Sequence, residues 1–368
     1  MSAEKARIVR EPLVRVAQRA YIRKDKAILI RVLAVVAAMI VDALIIYGLT
    51  KLNPISVYGT MFEGAFGTSR RTWITLRDIM MLLCISVGLA PAFRMRFWNC
   101  GAEGQVLVGG IASAACMIYL KTVPTPILLV IMFIASAAAG AVWGFLPAFF
   151  KAKFETNETL FTLMMNYVAI QLTSFMVSKW ETPYGSNSVG VINQTTQAGW
   201  FPKLFGQTYM LNVLLVMALT IGMFVYLRRS KQGFEIAVVG ESQNTARYAG
   251  IDVKQVIVRT MLISGAICGV AGMVGVGGMD HTISTGTAGG RGFTAIIVAW
   301  MAKFNTLTMI VISALLTFMD RGATEIASTY NLNEYASEML MGVILFFLIG
   351  CEFFINYRLV FRSRKEGR

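Results

Sequence analysis

The feature that most constrains this chain is a series of long apolar stretches without a single charge: residues 123–150, 159–178, 204–227 and 260–279. A helix needs about 20 mostly apolar residues to cross roughly 30 Å of hydrocarbon, and each stretch meets that length. Shorter windows at 79–93, 104–120, 304–319 and 339–351 read the same way, the last extended past Glu352 to Tyr357. The first span, about 27–50, carries Arg31 and Asp42. At about 16 Å apart along a helix, they are too distant to pair with each other. The weakest window is 292–302, bracketed by Arg291 and Lys303 and covering about 16 Å. It either borrows the polar Gly/Thr/Ser run before it or forms a re-entrant half-helix. The expected fold is therefore all-α, a polytopic transmembrane bundle of ten spans, or nine if that segment is re-entrant. Composition agrees: 15% of residues are charged, against about a quarter in soluble chains.

Basic residues orient the bundle. Under the ten-span reading, 24 of the 34 Lys and Arg fall on the side of both chain ends and 9 on the other. That asymmetry fits the positive-inside rule and makes both termini cytoplasmic. It also accounts for the net charge of +14 without nucleic acid, since the charges lie where topology puts them. The expected organisation is a basic tail over 1–26, a membrane domain over 27–357 with an inner loop at about 228–255, and a second basic tail over 358–368. The first tail reads as a solvated or lipid-apposed segment, not a cleavable signal, because the apolar run after it is too long. No exposed stretch is long enough to fold alone.

Several chemistries are excluded. His281 stands alone, which leaves no histidine-rich metal site or His-based triad. The five cysteines form no close pair, so neither a disulfide framework nor a zinc ribbon is expected. No G-x-x-x-x-G-K-[ST] loop is present, so this chain does not hydrolyse ATP in that manner.

Three segments are too polar for lipid-facing helices. The first, Phe97-Trp98-Asn99-Cys100-Gly101-Ala102-Glu103-Gly104-Gln105, opens a span. An ionisable group at membrane depth is expensive unless it faces a cavity or partner, and glycines allow backbone to unwind where a path exposes polar groups. Asn99, Glu103 and Gln105 are thus candidates for lining a transport path. The plainer alternative has Glu103 capping its helix or pairing with Arg94 or Arg96. In the second segment, Glu158, Thr162 and Asn166 recur every four residues and share a helix face. They line a path or form an interhelical hydrogen-bond seam. The third is the inner loop 233–251, where a short helix is expected over 241–249. Glu241 suits its N-terminus, Arg247 its last turn and Gly250 its C-cap. Such a helix on a cytoplasmic loop is what a docking element needs.

Together these segments resemble the permease subunits of ABC importers, in the nucleoside branch that works with basic-membrane-protein-type binding lipoproteins, related to the ribose and branched-chain amino acid permeases. The motif close to F-N-I-G-A-E-G-Q is met from Trp98 to Gln105 with Trp98 and Cys100 substituted. N-E-x-x-x-T-x-M-x-N-Y is met from Asn157 to Tyr167, and G-x-E-x-x-x-V-G-x-x-x-x-A-A-x-Y-A-G-I from Gly233 to Ile251, with Thr245 for the first alanine. S-G-A-x-x-G-x-A-G follows from Ser264 to Gly272. A fifth element, near G-Y-G-F-D-G-I-A-V-A-L-L-G, is half kept from Gly290 to Ala302: its acid has become Thr294, and Trp300 stands in a small or aliphatic run.

The resemblance implies a bacterial inner-membrane subunit that pairs with a second, related permease. It implies separate ABC ATPase subunits carrying ATP and Mg, and an outer lipoprotein that delivers nucleosides. No cofactor or metal belongs to this chain. Glu241, Ser242, Asn244, Ala246, Arg247, Tyr248, Gly250 and Ile251 would form the coupling helix. The path would be lined by Asn99, Glu103, Gln105 and the Glu158, Thr162 and Asn166 face. Riboflavin and simple sugars are the alternative solutes. The rival class is an ion-coupled secondary transporter using Asp42, Glu103 and Asp320. The glycines at 140, 144, 265, 269, 272, 275, 277 and 278 read as close helix packing, and adjacent Asp280 and His281 as a solvated loop pair, with proton coupling the alternative.

Overall fold

The computed structural model describes residues 14–19, 22–51, 53–331 and 334–361. The chain divides into two units, one of Met1–Met61 with Gly322–Arg368 and the other of Phe62–Arg321. Most of the two basic tails expected at 1–26 and 358–368 lies outside the described residues.

In the first unit, α1 (Lys24–Thr50) packs against α13 (Glu334–Asn356), and the short α2 (Pro54–Phe66) begins. The Arg31 guanidinium inside α1 donates to Glu352 of α13, its Nε at 3.0 Å and its Nη2 at 2.5 Å. The charge that interrupts the first apolar span is thus matched from the last one. Outside these helices, β1 (Val14–Gln18) and β2 (Tyr357–Phe361) pair antiparallel, Val14 opposite Phe361 and Gln18 opposite Tyr357. Nine helices among the described residues are long and apolar enough to cross a membrane. The apolar helix α11 (Arg291–Met301), at 11 residues, is shorter than these.

The second unit holds α3 (Ser69–Arg94), α4 (Ala102–Tyr119), α5 (Thr125–Phe154), α6 (Glu158–Trp180), α7 (Met210–Arg229), α8 (Lys231–Glu241), α9 (Gln243–Tyr248), α10 (Val253–Gly275), α11 and most of α12 (Thr306–Thr329). Helix α10 sits at the centre, against α5, α4 and α3. Glycines set the approach. A Cβ on Gly109 would overlap the Gly269 backbone, and one on Gly140 would overlap the Gly265 carbonyl. Small residues on facing helices let backbones touch where lipid supplies no hydrophobic drive. From Ile79 to Phe93, α3 is buried on every face, as suits a helix apolar all round.

Two helices extend past their apolar windows. Thr68 caps α3, its hydroxyl accepting from the Arg71 N–H at 3.2 Å, so Arg70, Arg71 and Arg77 lie in the helix and not in an outer loop. Likewise α12 runs to Thr329 and carries Asp320 and Arg321. A hydropathy window stops at a charge, whereas a helix continues through one whose partner is at hand. Arg77 meets Asp78 at 3.0 Å, and the Arg321 Nε donates to the same carboxylate at 2.5 Å.

The loop between α6 and α7 is irregular and delays the start of α7 to Met210. It is sewn to the π-helical turn Val276–Asp280 that ends α10. The Phe201 N–H donates to the Gly277 carbonyl at 3.0 Å, and the Ile192 N–H to that of His281 at 2.8 Å. The Trp200 and His281 rings stack with centroids 3.8 Å apart. Of the expected solvated Asp280–His281 pair, Asp280 is exposed, whereas the imidazole is half-buried against indole. That burial lowers its pKa from the ordinary histidine value, offset by nearby Asp280 and a Gly277 backbone hydrogen bond, and reinforced by Arg77.

Candidate functional site

Helix α3 carries Pro91 in its last turn and stops at Arg94. Arg96 then takes a left-handed conformation at φ 60°, and the backbone stays irregular until α4 begins at Ala102. Unwound backbone among membrane helices needs hydrogen-bond partners from its neighbours, and this sequence supplies them as side chains. The Asn99 carboxamide is fully buried. Its Nδ2 donates to the Gln105 Oε1 at 3.3 Å and to the Ser264 Oγ of α10 at 3.1 Å. Its Oδ1 accepts from the Gly101 N–H at 3.1 Å and from the Gln105 Nε2 at 3.2 Å.

The polar face of α6 closes the same segment from the other side. Thr162 accepts from the Cys100 N–H at 3.2 Å, and Asn166 bonds Gly104 and Cys100 backbone, both at 2.9 Å. Glu158 stands apart: its carboxylate pairs with Lys151 at 2.8 Å. The i, i+4 stripe therefore acts as a hydrogen-bond seam in this conformation, with Thr162 and Asn166 joined to Asn99 through the break and Glu158 closing the α5–α6 turn.

Glu103 pairs with neither Arg94 nor Arg96. It is 7% exposed, and its two oxygens accept from the Gly290 N–H at 2.7 Å and the Gly292 N–H at 2.8 Å. Those amides open α11, so the carboxylate of one helix caps the positive end of another. A Cβ on Gly292 would lie 2.6 Å from a Glu103 oxygen, which explains glycine there. The two aromatic departures noted in the sequence meet: Trp98 stacks on Trp300 at 5.1 Å, with Phe93 and Phe304 packed around them.

The inner loop is two helices, not one. Glu241 ends α8, and Ser242 caps α9, accepting from the Thr245 N–H at 3.2 Å. Gly250 follows the C-cap at φ 75°. Its N–H donates to the Arg247 carbonyl, and that of Ile251 to the Ala246 carbonyl, both at 3.0 Å, the paired bonds of a Schellman end. Ala246 is fully buried, whereas Tyr248 is 94% exposed and Asn244 and Arg247 also face outward. Ala246 is thus a packing residue of α9, and Tyr248 projects from it.

Sequence reasoning missed three partners. Ser264 stood in a recognised motif with no role assigned. The Gly290 and Gly292 amides carry no side-chain signal. The Asp78–Arg321 pair joins residues 243 positions apart.

Residues 72–349 match the model of the branched-chain amino acid transport system / permease component. The chain belongs to this family. It is 28% identical over 333 residues to the guanosine ABC transporter permease protein NupP of Bacillus subtilis, covering 89% of this chain and 94% of that one. It is 27% identical to the glucose ABC transporter permease protein TsgB13 of Haloferax volcanii, over 91% and 90%. With the nucleoside ABC transporter permease protein NupB of Lactococcus lactis subsp. cremoris the identity is 26%, over 82% and 85%. The first two organisms each carry a second similar permease, NupQ and TsgC13, both 23% identical to this chain. The chain is therefore a multi-pass membrane transport subunit, an ABC-type permease.

Proposed function

We propose that this permease forms the path of an ATP-driven importer for nucleosides in the bacterial inner membrane. The observation that carries the reading is the break at Phe97–Gly101, where unwound backbone is held by Asn99, Gln105, Ser264, Thr162 and Asn166 beside the half-helix capped by Glu103. A break held by side chains can be remade in a second arrangement, which alternating access requires. Both termini are cytoplasmic, where the basic residues gather. A separate ATPase subunit, carrying ATP and Mg, docks on α9. Its closure moves α9 and, through α10, Ser264 and the break. A second permease completes the path, in keeping with the paired relatives in two organisms, and an outer lipoprotein delivers the solute.

Nucleosides come first because the relatives NupP and NupB are named for guanosine and nucleosides. A simple sugar is the second reading, favoured by TsgB13. Guanosine and glucose share vicinal hydroxyls.

The test is to purify the chain with its partners from native membrane, reconstitute the complex and measure uptake of labelled guanosine, uridine and glucose with and without ATP. ATP-dependent nucleoside uptake is expected, with Tyr248→Ala lowering coupled ATPase activity at unchanged expression. Uptake that needs no ATP sinks the importer reading. ATP-driven glucose uptake without nucleoside uptake replaces the solute.

A further inference from the structure

A cavity of about 460 Å³ lies where α3, α7 and α8 end and α12 begins. Four cations line it: Arg94 and Arg96 at the end of α3, Arg228 at the end of α7, and Lys303 in the turn between α11 and α12. They face one acid, Glu241. Among the described residues, none of the four has an ion-pair partner. The Arg94 Nη1 donates to the Leu227 carbonyl at 3.1 Å. The Arg228 guanidinium lies over the Phe224 ring at 4.8 Å, a contact through its face that leaves the in-plane N–H donors for an acceptor. The wall is built closely, since a Cβ on Gly240 would lie 2.2 Å from the Arg94 carbonyl oxygen.

A second observation points into the same space. Thr306, the first residue of α12, lines the cavity and is 1% exposed. Its hydroxyl has no hydrogen-bond partner among the described residues. Buried polar groups are nearly always bonded, so this one calls for an acceptor that enters from the cavity. The start of a 24-residue helix adds its own positive end there.

We infer that the cavity binds a phosphate group, with the three guanidinium groups and the Lys303 ammonium donating to its oxygens and Thr306 donating from the helix start. Several oxygens and up to two negative charges suit this donor set better than a single carboxylate does. The cavity is larger than a bare ion needs, and the Phe224 and Phe304 rings also line it. The phosphate therefore arrives on an organic carrier, either a small soluble phosphoester or the head group of an anionic lipid. Arg96 stands one residue before the break that starts at Phe97, and Glu241 ends α8, so a phosphate held here ties the break to the inner loop.

The test is binding of radiolabelled glycerol 3-phosphate to the complete chain, purified with whatever subunits accompany it, in phosphatidylcholine nanodiscs at fixed ionic strength. Saturable binding is expected, displaced by inorganic phosphate and not by chloride. Arg96→Gln and Lys303→Gln should each weaken it about tenfold or more, whereas Lys203→Gln, an exposed cation outside the cavity, should leave it unchanged. Thr306→Val should weaken binding about fivefold while stability without ligand is kept or raised. A merely structural threonine would give the reverse. Phosphatidylglycerol added to the nanodiscs separates the two sources: retained binding assigns a soluble phosphoester, and lost binding assigns the lipid head group. No saturable binding in phosphatidylcholine, or equal weakening by Lys203→Gln, overturns the site. Binding to the chain stripped of its companions but not to the assembled complex gives the cations to a partner's acidic side chain, and overturns it as well. In phosphatidylcholine vesicles, glycerol 3-phosphate on the α8–α9 side should slow uptake by the wild type and not by Arg96→Gln. That outcome rests on the importer reading, whereas binding does not. Equal uptake overturns the tie to the break and leaves the site standing.

Discussion

Replacing Glu103 with Gln preserves volume and removes one acceptor and the charge. The carboxylate accepts from the Gly290 and Gly292 amides at 2.7 and 2.8 Å while almost wholly buried. A carboxamide can satisfy one of these donors but turns its NH2 toward the other. A hydrogen bond to a charged group is worth about 1.5–3 kcal/mol, and a charge at a helix end about 0.3–2 kcal/mol. Because the two terms overlap, the loss at the start of α11 is about 2–3 kcal/mol. At about 1.4 kcal/mol per decade, local opening of this turn becomes about 30- to 140-fold more frequent. Hydrogen exchange of the intact complex in nanodiscs reads it directly, comparing a peptide over 288–296 with one from the middle of α10. Exchange should rise in the first and stay unchanged in the second. Gly292→Ala should do the same with the charge retained, since the new Cβ would sit 2.5 Å from the Glu103 nitrogen and 2.6 Å from its oxygen. Unaltered exchange over 288–296 in Glu103→Gln, or an equal rise in α10, would refute the capping argument.

Gly269→Val should destabilise the second unit by about 3 kcal/mol or more, because overpacking alone costs 1–3 kcal/mol and here the obstacle is the Ser136 carbonyl and Gly140 backbone. Gly222→Val, with nothing within 4 Å of its Cβ, should be silent, and thermal aggregation in detergent compares the two. Burial lowers the pKa of the stacked His281, so around and below about pH 6.5 the folded state binds fewer protons than the unfolded one. Docking of the loop between α6 and α7 should be intact above that pH and weaken below it. Proteolysis of the loop between pH 5 and 8 would follow this, and His281→Phe, which keeps the stack, should abolish the pH dependence.

Much of the architecture was legible because lipid restricts the chain to helices about 20 residues long. The spans at α5, α6, α7 and α10 could be read from uncharged runs, although α7 begins six residues later than its run because the outer loop claims 204–209. The same rule misjudged the ends of α3 and α12, whose charges are neutralised by each other. Whether 292–302 crosses was open in the sequence. The pairing of β1 with β2 was equally illegible, because a contact between residues 14 and 361 leaves no mark on local hydropathy. Within the site, Asn99, Gln105, Thr162 and Asn166 were recognisable as polar groups out of place in a span. Their joint task, holding one stretch of unwound backbone, was not.

The sequence by itself determined that this chain is a polytopic helical membrane protein and, through ordered motifs, its family. Both follow from quantities local to the chain: apolar run length, charge placement and motif spacing. Only the tertiary structure decided what each buried polar group does. Glu103 was a candidate path residue by composition and a cap for α11 by contact. Asp78 and Arg321 were unremarked ends of apolar windows until the fold joined them. A buried charge is tolerated only with its partner, and partners more than 200 residues away are chosen by helix packing and not by sequence neighbourhood.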